Sequence, residues 1–159
     1  MTLRMGRRAY LPMSDSDNFS SWDLRRFVDA QNPVWPRVLA ELRAGQKTSH
    51  WMWFVFPQIE GLGRSPMAQR YAIASLDEAA AYLAHPILGP RLEEATRLVL
   101  DVKNRAIDEI LGPPDDLKFR SSMTLFSLVP GASAVFNEAL QQFFDGEPDE
   151  LTLQRSSSR

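Results

Sequence analysis

The sequence predicts an all-α fold: a single multihelical domain built around one central buried helix. Apolar residues recur at three- and four-residue spacing through most of the chain. Ser, Asn, Pro and Gly punctuate those runs in the order of helix starts and stops. No stretch alternates convincingly at period two, as a half-buried strand would.

Residues 1–20 read as a flexible leader. Arg4, Arg7 and Arg8 give a basic start, but Ser14, Asp15, Ser16, Asp17 and Asn18 stand where a secretory signal needs an apolar stretch. Met13 is an alternative initiator. The domain is expected over 21–153. Ser21 caps a short helix carrying Trp22, Leu24, Phe27 and Val28 on one side. Asn32 followed by Pro33 reads as an N-cap with proline in the first turn, opening a helix over 33–44 with Trp35, Val38, Leu39 and Leu42 on one face and Gly45 as its stop. Trp51 to Phe56 is too short for periodicity to decide. With no partner strand in view, it is assigned to a short buried helix.

Ser75-Leu76-Asp77-Glu78 is a capping box, and its helix runs to His85-Pro86, where proline prevents continuation. A longer helix over 88–102 places Leu92, Ala95, Thr96, Val99 and Leu100 on one stripe, and Arg105 to Leu111 forms one more, closed by Gly112 and two prolines. From Leu117 onward apolar and small residues occupy most sides, which predicts the central helix; Asp115 or Asp116 would cap it. A last helix carries Ala134, Val135, Leu140, Phe143 and Phe144 and ends at Gly146. Residues 154–159 are expected to fray.

Composition narrows the function classes. With 159 residues, 44% hydrophobic and 24% charged, the chain suits one ordinary globular domain. A net charge of -2 gives no global field for a polyanionic backbone, so nucleic acid is disfavoured as a partner. The absence of cysteine excludes disulfides and thiolate chemistry and fits the cytoplasm, and two histidines leave little for a metal site. The longest apolar run falls far short of the roughly 20 residues that span a membrane.

Several ordered motifs carry a family resemblance: the run from Lys47 to Gln58, Gly61-Leu62-Gly63, Tyr71-Ala72-Ile73, Leu83, His85-Pro86, Leu88-Gly89, Arg91-Leu92, and Ser121 to Phe126. Over roughly Asp23 to Leu153 the chain resembles the bacterial family catalogued as domain of unknown function eighteen-ten, whose members are sometimes labelled calpastatin. The resemblance implies an all-helical single domain and brings no established activity, cofactor or catalytic residue. Phe119 stands where the pattern suggests an aliphatic residue. The calpastatin label conflicts with the composition, since the calpain inhibitor is disordered and repetitive.

Two clusters are candidate sites. In the first, Lys47, Ser49 and His50 precede the aromatic block and Gln58 follows it. A lysine and an imidazole beside a helix start suit a phosphate or carboxylate, and Trp51 or Trp53 offers a stacking face. Arg64 and Ser65, behind Gly61 and Gly63, form a neighbouring loop able to approach an anion. The competing reading makes Ser49 a cap and Lys47 a solvated charge. The second cluster is Asp115, Asp116, Lys118, Ser121 and Ser122, where small hydroxyls more often bond their own i−4 carbonyl than react. A Ser nucleophile there would need Lys118 or His50 as its base. The expectation is therefore a pocket for a small anionic, phosphorylated or nucleotide-like ligand along Lys47 to Gln58. The alternative is a non-enzymatic protein-interaction module, with an apolar patch at Trp22, Trp35 or the final helix.

Overall fold

The computed structural model describes residues 22–157, and the expected leader and the last two residues lie outside them. Among the described residues there are ten helices and no strand: α1 Arg25–Gln31, α2 Trp35–Ala44, α3 Met52–Val55, α4 Pro66–Arg70, α5 Leu76–Ala84, α6 Leu88–Leu100, α7 Ile107–Leu111, α8 Asp115–Ser127, α9 Val135–Phe144 and α10 Glu150–Ser157. The all-α expectation holds.

Local chemistry sets most boundaries. Gly45 ends α2 in the left-handed region at φ 75°, a conformation glycine adopts without steric cost. The expected Asn32 cap is displaced: Asn32 closes α1, donating its N–H to Val28 O, and α2 starts only at Trp35 with Pro36 behind it. Ser75 caps α5 as expected, its Oγ accepting from the Glu78 N–H at 3.4 Å. The return bond from Glu78 goes to the Ala74 N–H at 2.7 Å, one residue upstream, while the other carboxylate oxygen meets Arg26 at 3.2 Å. His85 ends α5 and also serves α6, its Nδ1 accepting from the N–H groups of Ile87 and Leu88.

The central helix is α8. Phe119 and the run Ser121 to Phe126 are buried, and the helix packs against α5, α7, α9 and α10. Beside it, α6 buries the expected stripe of Leu92, Ala95, Thr96, Val99 and Leu100 and packs against α2, α5 and α9. Two aromatic rows join these layers. One runs Tyr71–Phe27–Tyr82–Phe126–Phe136, with ring centroids 5.0–5.9 Å apart; the other runs Trp51–Phe56–Phe119–Phe143, at 5.0–6.3 Å. The polar groups around Gln31 in the core are matched. Gln31 Nε2 donates to Phe54 O and Tyr82 Oη at 2.6 and 3.1 Å, and Arg91 donates to Gln31 Oε1. Burial pushes the Tyr82 phenol upward, against the Gln31 bond and the Arg91 and Arg26 charges.

Three features go beyond the sequence reading. The turn α4 is opened by Ser65, whose Oγ accepts from the Ala68 N–H at 3.1 Å, with Pro66 as first residue. A parallel bridge joins Ile59 to Ile73, through Glu60 N–H to Ile73 O and Ile73 N–H to Gln58 O, both 2.8 Å. The fraying expected from Gln154 gives way to α10 through Ser157. Asp149 caps this helix by accepting from the N–H and the hydroxyl of Thr152, and Thr152 and Ser156 are buried. No described helix is long and apolar enough to cross a membrane.

Candidate functional site

The segment between α2 and α3 is folded around one carboxylate. Glu41 sits on the core side of α2, three residues after Val38, and is buried. Its Oε1 accepts from the N–H groups of Thr48 and Ser49 and from the Trp51 indole at 2.8, 3.1 and 2.9 Å; its Oε2 accepts from Ser49 Oγ at 2.6 Å. Burial alone would raise the pKa of the carboxyl. The four bonds outweigh it and bring Glu41 from 4.5 down to about 2, because each favours the ionised form. Ser49 and Trp51 are thus engaged in holding the loop, and the hydroxyl of Ser49 points to Glu41.

A second carboxylate joins the two sequence clusters. Asp115, in the first turn of α8, meets Lys47 Nζ at 2.9 Å and Lys118 Nζ at 3.7 Å. The Lys47 side chain is mostly covered and lies 5.1 Å from the Trp51 ring centroid, whereas Lys118 lies 5.6 Å from that of Trp53. The two lysines therefore part company at Asp115, one lying against Trp51 and the other along Trp53.

Trp53 and Lys118 belong to a cleft of about 400 Å³, within the range of small-molecule sites. Its floor is Met52, Phe56, Ile59 and Tyr71. Gln58, Glu60, Arg64, Gln69 and Lys118 supply polar groups around it, and Gly61 and Gly63 form part of the wall. The loop can close only because these are glycines. A Cβ on Gly63 would lie 2.5 Å from that of Ala68, and Gly61, at φ 99°, has the Arg155 guanidinium of α10 where a side chain would stand. Gln69 Nε2 pins the loop by donating to Arg64 O at 2.8 Å. Among the described residues, no hydrogen bond or ion pair engages the Trp53 indole N–H, the Gln58 side-chain amide or the Arg64 guanidinium.

Of the candidates named from sequence, the cleft thus gathers Trp53, Gln58, Arg64 and Lys118. Lys47, Ser49 and Trp51 lie behind it in the carboxylate-bonded loop, and Ser65 caps α4. His50 is exposed and outside the lining. Ser121 bonds Leu117 O as its spacing suggested, but Ser122 Oγ is fully buried with no partner, so neither Lys118 nor His50 acts on it as a base. The described residues contain no group of three or more His, Asp or Glu placed for a metal ion. Sequence reasoning missed Glu41, Glu60, Gln69, Tyr71 and Arg155. Glu41 left a signal, a carboxylate at helical spacing among the apolar positions of α2; the others are brought in by tertiary packing.

No curated protein matches the chain. Among solved structures it is similar to the conserved hypothetical protein Rv1873 from Mycobacterium tuberculosis, with 54% identity and a TM-score of 0.85 over 87% of this chain and 99% of that one. The family model described as "Protein of unknown function (DUF1810)" matches residues 21–156, and the chain belongs to that family.

Proposed function

We propose that the cleft between α3, the Gly61–Arg64 loop and the first turns of α8 binds a small anionic ligand, phosphorylated and nucleotide-like in carrying a planar ring. The observation that carries this reading is the convergence of uncommitted polar groups on one apolar floor. Trp53, Gln58 and Arg64 line the cleft, and the Trp53 N–H, the Gln58 amide and the Arg64 guanidinium have no hydrogen-bond or ion-pair partner among the described residues; Lys118 beside them makes a 3.7 Å contact with Asp115 and lies 5.6 Å from the Trp53 ring centroid. An aromatic ring with Lys118 and Arg64 in the same cleft suits a planar ligand bearing a phosphate. The absence of cysteine supports a cytoplasmic setting.

A thermal-shift panel of nucleotides, ADP-ribose, sugar phosphates and simple anions tests the reading. A probe present at 100 times its dissociation constant should stabilise the protein by about 2.7 kcal/mol. The shift should vanish in an Arg64→Ala, Lys118→Met double variant, whose side chains lie at the rim. A panel without a hit, or a hit that survives both substitutions, overturns the reading. The interaction-module alternative draws less support. Among the described large hydrophobics only Ile87, Leu117 and Leu151 are exposed, and scattered apolar residues of this kind are ordinary on a globular surface. Trp22 and Trp35 pack against the core.

A further inference from the structure

We infer that Lys118 selects phosphorylated over unphosphorylated ligands in the cleft: its ammonium covers the Trp53 ring, and a planar ligand that carries an anionic group draws it off and takes the stacking face. This rests on the cleft being a ligand site. The argument starts from two lysines sharing one carboxylate. Lys47 Nζ reaches Asp115 Oδ2 at 2.9 Å with its side chain 8% exposed, whereas Lys118 Nζ stands 3.7 Å from Oδ1 with its side chain 27% exposed. Lys47 thus balances Asp115 at hydrogen-bonding distance, and the three groups together keep one positive charge. That surplus sits on Lys118, whose contact is longer and wetter and so the weaker hold.

The other neighbour of Lys118 is the half-buried Trp53 ring, 5.6 Å from Nζ to centroid, and both residues line the cleft. A cation over a partly exposed ring is weakly held, and a phosphate that accepts from the ammonium is the stronger partner. An uncharged planar ligand has to compete with the ammonium for the ring and gives it nothing in return. A phosphorylated one vacates the ring and pairs the displaced charge in a single event. Arg64, which lines the same cleft, adds a second donor for the anion. The start of α8 is undisturbed by the exchange, because Asp115 keeps Lys47 when Lys118 leaves.

Calorimetric titration of AMP and adenosine into the full chain and its Lys118→Ala and Lys118→Met variants tests the inference. Wild type should bind AMP at least about tenfold more tightly than adenosine. Lys118→Ala removes both the charge and the cover, so AMP should weaken about tenfold while adenosine tightens about threefold. Lys118→Met keeps a side chain over the ring without its charge; AMP should weaken as in the alanine variant and adenosine stay within about twofold of wild type. Opposite movement of the two ligands in Lys118→Ala is the result that a merely structural lysine, or a simple anion anchor, does not give. Parallel losses, or adenosine unchanged in Lys118→Ala, overturn the selector role while leaving the cleft as a site. Binding of neither ligand to wild type or variants overturns it as well; whether the cleft itself survives is then read from the anion panel.

Discussion

At the scale of single residues, Glu41 is the group whose chemistry has the clearest consequence. Four donors from Thr48, Ser49 and Trp51 hold its carboxylate ionised, with a folded value of about 2 against 4.5. A carboxyl depressed in the folded state contributes stability that is present above its unfolded value and lost as pH falls through the folded one, so the window is about pH 4.5 down to about 2. At roughly 1.4 kcal/mol per pH unit of displacement, the contribution at neutral pH is about 3 kcal/mol. Glu41→Gln should therefore lower stability at pH 7 and flatten the loss seen on acidification, measured by urea unfolding across pH 2–7. An unchanged acid limb in the variant would reject the assignment. The contrast with Ser122 is instructive: its hydroxyl is just as buried and bonds nothing, so side-chain type alone did not distinguish a structural knot from an idle group.

Among the elements, legibility followed the range of the determining interaction. Ser75 and Gly45 act on their own helix ends and were read correctly from sequence. α4 is five residues long and shows no apolar period, although Ser65-Pro66 carried its start. α10 is mostly polar and is stabilised by docking on α8, which no local pattern records. The junction of α5 and α6 is a further case, legible only as Gly89 within a helical run. A Cβ there would collide with the backbone carbonyl of Leu83, which has no rotamer to yield. Gly89→Ala should destabilise the protein by about 1–3 kcal/mol, seen as a fall in Tm of several degrees; no change would show that the two helices separate freely.

Across the whole molecule, the fold was legible and the site only in part. Helical periodicity is repeated in every long element, so the all-α class survives individual errors of a few residues. The cleft depends on contacts that spacing does not encode: Lys47 and Lys118 lie 71 positions apart in sequence and meet through Asp115, and α10 returns from the chain's end to Gly61. Trp53, Gln58 and Arg64 were reachable because they lie close together in sequence. The bridge between Ile59 and Ile73 then acquires a kinetic meaning. Two backbone hydrogen bonds close the excursion that forms one wall of the cleft, so deuterium uptake at the Glu60 and Ile73 amides measures how often that wall parts from the body. These amides should exchange through a local opening, faster than those of Met123 to Phe126 in α8, which await global unfolding, and a bound anion should slow the first pair alone. Equal rates for both sets would make the wall and the core one cooperative unit.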